Sequence, residues 1–551
     1  MPESHRLPPL SPSLAFGGAA LAGAGTVPPL SIVKPWQEAV RESGGRAVRE
    51  SAGRAVRGRA PDTGVGMLAA MSTTPAPLPD RDGSGAAPGA AAGAGAPSAG
   101  PVRERGDACP GALRLHAADD GALARIRLPG GLLTVRQASL LGDLAEEPGD
   151  GHLDLTSRGN VQLRGLPDGC GGTIAGRLRE LGLLPSDRHD RIRNVAASPL
   201  CGLDGRRPDS GSASGEASED TSDVQAWARE LDGLLCADDS PRDLTDLSGL
   251  SGRFLFGLDD GRGDIVALRP DVTLIASGAG QAVLCFGTAG PGLRIPAADA
   301  PRAAVLAAAE FLAAREASGS GAWRVRELPA GQRPTAARLA DRLTAAGITS
   351  ALLPSPRIPL GEPVVPGLVT GPDGLCALSV TAPLGRLTAA QWRLATRMAA
   401  EKGDRTIRVT PWRGLVLPGF PAEEAPGLLA ELAHAGFVTA AESAWHRAGA
   451  CAGRPGCAKS LADVRADAAG CLAGGQPAGA RMLPVYWSGC ERRCGHPGGG
   501  PWVDVLATGD GYEVSLRGDG ETDGPVRRVA AAGLPGAVTE ARLVTTRATT
   551  T

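Results

Sequence analysis

An internal repeat constrains this chain more than any other feature of its sequence. Residues Thr134–Gly182 align with Thr388–Gly436 at a constant offset of 254, without a gap over 49 positions, and 13 positions are identical. The identities include Thr134/Thr388, Gln137/Gln391, Gly149/Gly403, Asp150/Asp404, Thr156/Thr410, Gly165/Gly419 and Gly182/Gly436. Each copy reads the same way. Thr134-x-x-Gln137 and Thr388-x-x-Gln391 are capping boxes that open a helix stopping near Gly149 or Gly403. Alternating Leu153/Leu155 and Ile407/Val409 predict a strand, and Val161/Leu163 and Leu415/Leu417 a second one. A further helix, apolar at Ile174, Leu178 and Leu181, closes the first unit, and strands over 123–128 and 375–380 precede the two copies. Strand–helix–strand–strand–helix, twice, predicts an α+β protein built from two pseudo-two-fold-related halves, with its sites between them.

Composition narrows the class. Lys+Arg 57 against Asp+Glu 59, a formal charge of −2, argues against a dedicated nucleic-acid binder. No run is apolar enough to span a bilayer, and the weak Leu14–Val33 stretch is broken by Gly and Pro, so no membrane partner is expected. Residues 1–106 contain an eight-residue near-repeat from Ala39 and an Ala/Gly/Pro/Ser tract over 73–101. They read as a disordered low-complexity extension, or as sequence upstream of a start at Met67 or Met71. The polar stretch 205–222 reads as a mobile insert.

Eleven cysteines form no even disulfide framework, and four of them fall in two tight pairs, Cys451-x5-Cys457 and Cys490-x3-Cys494. Thiolates are soft anionic ligands that suit zinc or an iron–sulfur cluster in a reducing compartment, so a cytoplasmic address is expected. Structural zinc favours tighter knuckles, whereas a four-iron cube holds its ligands further apart on longer Gly/Pro-rich loops. Cys109, Cys170, Cys201, Cys236, Cys285, Cys376 and Cys471 stand singly and read as packing residues.

Three blocks, Arg125-Ile-Arg-Leu-Pro-Gly-Gly131, Thr156-Ser-Arg-Gly-Asn-Val-Gln-Leu-Arg-Gly165 and Arg193-Asn-Val-Ala-Ala-Ser-Pro-Leu200, together with the cysteine pairs, resemble the nitrite/sulfite reductase family over about 107–520. Ala197–Asp204, Phe256–Gly261 and Trp487–Pro497 are most similar to its precorrin-3B synthase branch. The resemblance implies ferredoxin-like half-domains at 107–184 and 357–440, a first reductase-type α+β domain at 185–356, a cluster-binding domain at 441–535 and a flexible tail at 536–551. It also implies a [4Fe–4S] cluster on Cys451, Cys457, Cys490 and Cys494, and carboxylate-binding roles for Arg127, Arg158 and Arg193. Guanidinium forks suit such a ligand because they bind carboxylates bidentately. In the second copy Trp412 stands where the first has Arg158, which suggests divided labour.

In the reductases a Leu-Pro-Arg-Lys-Phe-Lys block helps to bind sulfite. Here the stretch is Leu250-Ser-Gly-Arg-Phe-Leu255, with Arg253 in the first lysine position and Leu255 in the second. Losing one cation there favours the tetrapyrrole itself as substrate, with Arg253 as a further carboxylate contact. The branch implies O2-dependent hydroxylation of precorrin-3A at C20 with lactone formation from the ring A acetate, a mononuclear non-haem iron, and an external electron donor such as NADH or reduced ferredoxin. No 2-His-1-carboxylate pattern stands out among His116, His152, His189, His434, His446 and His496, so that iron's ligands are unassigned. The alternatives are a sirohaem-dependent sulfite or nitrite reductase and a non-catalytic tetrapyrrole- or zinc-binding protein.

Overall fold

Both capping boxes form. In the computed structural model, Gln137 N–H donates to Thr134 Oγ1 at 3.3 Å while Thr134 N–H donates to Gln137 Oε1 at 2.9 Å. Gln391 and Thr388 repeat this at 3.1 and 2.9 Å. The structure describes residues 107–543 apart from 108, 207–222, 238–245, 288–289, 360, 476–481, 498–499 and 519–523, so the 1–106 extension and most of the 205–222 insert lie outside the described residues. The capped helices are Val135–Glu146 and Ala389–Glu401. Each is followed by two strands, His152–Leu155 and Val161–Leu166 in the first copy, Thr406–Val409 and Gly414–Pro421 in the second. Helices Gly171–Glu180 and Ala425–His434 close the units. The capping glutamines have a second use: Gln137 Nε2 donates to Leu181 O and Gln391 Nε2 to Ala435 O, tying the start of one helix to the end of the next in both copies.

The two copies exchange a strand. Leu132–Thr134, ahead of the first capped helix, pairs with Thr406–Val409 of the second copy. Arg386–Thr388 pairs reciprocally with His152–Leu155 of the first. Each five-stranded sheet is completed by the other repeat, and one apolar core contains Leu141, Leu144, Leu153 and Leu163 together with Trp392, Ile407, Leu415 and Leu417. Neither sheet could be removed without leaving the other one strand short.

The symmetry extends past the aligned residues. A six-stranded sheet sets Val195–Ala197, Phe256–Asp259 and Val272–Ala276 parallel, then continues antiparallel through Gln281–Phe286, Gly292–Pro296 and Ala351–Leu353. The C-terminal sheet follows the same plan: Ala448–Ala450, Val485–Ser488 and Trp502–Ala507 parallel, then Tyr512–Arg517 and Arg527–Val529 antiparallel.

One boundary differs from the sequence reading. The expected tail at 536–551 begins inside a helix, Leu534–Leu543. Leu534, Ala537 and Val538 bury one face of it, and the buried Arg542 donates to Leu483 O, Ala444 O and His446 O at 2.8–3.0 Å. Three carbonyl acceptors hold this helix, which the Pro535-Gly536 pair at its start conceals in the sequence. Among the described residues no helix is long and apolar enough to cross a membrane.

Candidate functional site

A cleft of about 570 Å³ opens between the first-copy sheet and the C-terminal sheet, lined by residues of both. Arg125, on the strand Gly121–Ile126, and Arg127, just beyond it, project from the first-copy sheet, and Arg158 comes from the turn between its hairpin strands. Paired amides hold these segments together. Asn160 Oδ1 accepts from Leu128 N–H at 2.9 Å, Asn160 Nδ2 donates to Asn194 Oδ1 at 3.1 Å, and Asn194 Nδ2 donates to Phe254 O at 3.0 Å. Asn160 and Asn194, both buried, therefore link the three similar blocks to the 250–255 stretch.

The arginine group is short of negative charge. Arg127 is 2% exposed, yet its polar contacts are weak ones at 3.4 Å to Asn194 Oδ1 and Gly252 O, and its Nε has no partner. Arg125 donates to Gln162 Oε1 at 3.0 Å and also leaves its Nε unpartnered. Arg158 reaches only Gly252 O, at 3.4 Å. Burial, reinforced by Arg125 and Arg158, pulls the Arg127 guanidinium down to about 9. Burial and then Arg324 pull Arg158 down to about 10. Buried charges are ordinarily paired, because desolvation costs several kcal/mol per ion. Neighbouring guanidiniums to which no carboxylate is hydrogen-bonded, with Asp107, Asp190 and Asp271 acting only from a distance, make a site whose electrostatics call for an anion.

The other arginines from the sequence reading differ in placement. Arg253 lines the cleft with its guanidinium 4.8 Å from the Trp323 ring. Arg193 does not line it. That side chain is bidentate to Asp232 at 2.6 and 2.8 Å and donates to Leu183 O at 2.8 Å, so its charge is already neutralised. Leu255 lies in a small buried cluster with Ala196 and Ile265. Sequence reasoning missed Arg125, Arg164, Arg413 and Arg465 on the cleft wall, and read Cys109, which also lines it, as a packing residue. A period-two reading of the strands would have found two of them, since Arg125 and Arg127, like Gln162 and Arg164, share a sheet face.

The four cysteines follow adjacent parallel strands of the C-terminal sheet. Cys451 directly succeeds Ala448–Ala450, and Cys490 and Cys494 succeed Val485–Ser488. All four are close enough that Cys451, Cys490 and Cys457 act electrostatically on Cys494, whose thiol is pushed up, by burial first. Gly489 N–H donates to Cys451 Sγ at 3.2 Å. A side chain at Gly489 is excluded, because its Cβ would stand 1.8 Å from Ser460 Oγ. Among the described residues the only group bringing three ligand atoms within 4.8 Å of one another is Asp259, Asp260 and Asp264. No three of the four sulfurs are therefore gathered at the roughly 3.8 Å spacing that a tetrahedral zinc with 2.3 Å Zn–S bonds imposes. Four thiols on two neighbouring loops, with an amide N–H already directed at one sulfur, supply the donor chemistry that a cubane cluster takes. Cys451 and Cys494 also line the cleft, which puts the arginine group and the cysteine loops in one site.

The acidic trio occupies the matching turn of the six-stranded sheet, after Phe256–Asp259. It does not fit a mononuclear iron. Asp259 accepts four backbone N–H groups, from Gly261, Gly263, Ile265 and Val266. Asp260 is bidentate to Arg262 at 2.6–3.0 Å, which leaves too few open donor atoms. His496 stacks on Trp502 at 5.4 Å and hydrogen-bonds Pro497 O through Nδ1.

Residues 116–180 and 370–435 each match the nitrite/sulfite reductase ferredoxin-like half domain, so the chain carries that half domain twice. Over 89 residues it is 37% identical to the ferredoxin–nitrite reductase of Leptolyngbya laminosa, covering 15% of this chain and 16% of that protein. Over 84 residues it is 37% identical to the enzyme of that name from Synechococcus elongatus, with the same coverage. The chain thus spans only 16% of the length of these two relatives. It is 25% identical over 447 residues to a precorrin-3B synthase of a Sinorhizobium species, covering 79% of this chain and 86% of that one. Among solved structures, the Mycobacterium tuberculosis NirA protein has a TM-score of 0.56 at 19% identity, over 75% of this chain and 79% of that chain. The fold is therefore a mixed α+β, NirA-like one, and the relatives named are redox enzymes.

Proposed function

We propose that this chain is an oxidoreductase that binds a polycarboxylate tetrapyrrole in the cleft beside a [4Fe–4S] cluster held by Cys451, Cys457, Cys490 and Cys494, and specifically that it is a precorrin-3B synthase. The observation that carries this reading is the cleft itself, in which Arg125, Arg127 and Arg158, without carboxylate partners, face the loops of Cys451 and Cys494. A reduced tetrapyrrole bears several carboxylates, and these guanidiniums would bind and orient it through charge-assisted hydrogen bonds while restoring the missing negative charge. The cluster, when bound, supplies single-electron transfer. Hydroxylation at C20 with closure of the ring A acetate as a lactone consumes a ring double bond, the hydroxyl and the carboxylate oxygen each forming one new C–O bond, so that the product gains one oxygen atom overall. One oxygen atom of O2 enters the product and the other leaves as water, with two electrons from an external donor such as NADH or reduced ferredoxin and two protons from solvent.

A sirohaem-dependent nitrite or sulfite reductase is the second reading, favoured by the two 37% local identities. The longer likeness to precorrin-3B synthase supports the first, as does Leu255, which puts an apolar core residue where the reductase pattern has a lysine. The deciding experiment is the visible and EPR spectrum of anaerobically purified protein with total iron and acid-labile sulfide, followed by incubation with precorrin-3A and O2. A cluster signal without a sirohaem Soret band, and a product 16 mass units heavier, is expected. A sirohaem spectrum coupled to the cluster would make the protein a nitrite or sulfite reductase.

A further inference from the structure

The loop Cys451–Cys457 is gripped from outside its own domain. On the tight turn between His116–Ala118 and Gly121–Ile126, Asp119 Oδ2 accepts the Ala458 N–H at 2.5 Å. Next to it Asp120 takes a bidentate pair from Arg164, with Nε and Nη2 both at 2.8 Å. Arg164 Nη2 then donates to Gly456 O at 2.7 Å. The first repeat thus holds the backbone on both sides of Cys457, through the carbonyl of the residue before it and the amide of the residue after it. Gly456 admits this approach because it has no side chain: a Cβ there would lie 2.7 Å from Asp120 Oδ2.

The backbone at Cys451 and Cys494 is also held by side-chain donors. Arg465 bridges Asp154 of the first-copy sheet, at 3.1 Å, and Cys451 O, also at 3.1 Å. Tyr486 Oη donates to Cys494 O at 2.6 Å, and Arg413 donates to the next carbonyl, Gly495 O. Arg164 is distinct among these residues. It is a buried cation, 7% exposed, whose charge is neutralised within the first repeat while its remaining N–H reaches into the cysteine loop. Such a group contributes orientation rather than net charge, which is how outer-shell partners fix a ligand's geometry.

We propose that Arg164, buttressed by Asp120, is a positioning residue for Cys457, so that the first repeat governs how firmly the cluster is kept and how its electronic structure is tuned. This rests on the cluster assignment made above. The test uses the full-length protein reconstituted anaerobically with iron and sulfide, comparing the wild type with Arg164→Met, Arg164→Lys and Asp120→Asn. Iron and acid-labile sulfide per chain, the EPR spectrum of the reduced protein and the rate of cluster loss to a chelator are measured, with far-ultraviolet circular dichroism as the check on folding. Arg164→Met and Asp120→Asn should lose the cluster roughly tenfold faster than wild type, in line with other outer-shell substitutions, and with altered EPR line shape. Arg164→Lys should recover part of the loss, since an ammonium reaches one acceptor but not the bidentate pair. If Arg164→Met does not fold, Asp120→Asn, which keeps the shape of the turn, decides the matter. Wild-type retention and line shape in a folded variant would overturn the proposal and leave the cluster assignment standing. A wild-type chain that takes up no cluster would overturn the assignment and the proposal with it.

Discussion

Trp392 donates its indole N–H to the carbonyl oxygen of Ala138, at 2.7 Å, and these two residues occupy the same position in the two repeats, 254 residues apart. The capped helices cross at the pseudo-two-fold axis, where equivalent positions must meet. A fully buried indole on one helix lies over the small residues Ala138 and Gly142 of the other, and a Cβ at Gly142 would come within 3.2 Å of the Trp392 ring. Identical large residues would collide there, so the symmetry has to be broken in size for the halves to close.

That contact sets a first expectation. Trp392→Ala should destabilise the fold by about 3–5 kcal/mol through the cavity it leaves. Trp392→Phe should cost about 0.5–1.5 kcal/mol, chiefly through the lost indole hydrogen bond, since the Ala138 carbonyl keeps its place in the helix ladder. Urea denaturation of both variants measures this: an unchanged Trp392→Phe would mean that the hydrogen bond contributes nothing, and equal losses that the cavity adds nothing to it.

Arg127 should show opposite effects on stability and binding. It is a buried cation without an anionic partner, so Arg127→Met should raise the thermal midpoint of the ligand-free protein, by about 1–2 kcal/mol in stability. The same change should weaken a polycarboxylate tetrapyrrole by about tenfold or more, because a charge-assisted hydrogen bond is worth about 1.5–3 kcal/mol. Calorimetric melting and fluorescence titration read the two effects. A variant both less stable and equally able to bind would remove Arg127 from the site.

These expectations show what the sequence made legible. The repeat, its capping boxes and its hairpins follow from local pattern, because Thr-x-x-Gln and alternating Leu/Val act within a few residues of themselves. The strand exchange does not. Leu132–Thr134 is three residues long, and its partner Thr406 lies 272 residues away, a pairing that only the closed core selects. The matching plans of the six-stranded and C-terminal sheets left no residue pattern of their own, since strand order survives where side-chain identity has drifted; only the family resemblance implied an α+β domain after each half-domain. The cysteine pairs were visible because soft ligands at short spacing have few other uses. Arg164 was overlooked because its meaning depends on Asp120 and Gly456, which its own strand does not reveal.

Acid–base behaviour gives a third expectation. Asp264 is fully buried, its Oδ1 accepting from Ser198 Oγ at 2.6 Å while Oδ2 has no partner. Burial, then the nearby Asp259, pushes its carboxyl up to about 8. With a folded value above the unfolded one near 3.8, the folded state holds the extra proton between those limits, so this group's contribution falls as pH rises from about 4 to 8. Asp264→Asn keeps the shape without the titration. Its stability relative to wild type should therefore improve steadily across that window in pH-dependent urea unfolding. A constant difference would show that Asp264 stays ionised in the fold.

Arg193 and Arg158 give the sharpest contrast, because the sequence assigned them one role and the structure separates them. Arg193 joins the segment before Val195–Ala197 to the helix Val224–Cys236 through Asp232, and its bidentate pair is almost wholly buried on the arginine side. Arg193→Met leaves Asp232, which is 20% exposed, and the Leu183 carbonyl without their donor, so it should cost about 1–3 kcal/mol. Whatever folds should still bind the tetrapyrrole with wild-type affinity at low temperature. Arg158→Met should do the reverse, leaving the urea midpoint nearly unchanged and weakening the ligand about tenfold, the loss of one charge-assisted hydrogen bond. Measuring both constants for both variants separates a residue that holds the scaffold from one that meets the ligand. Equal loss of affinity in the two would return Arg193 to the cleft, against the geometry of its pair with Asp232.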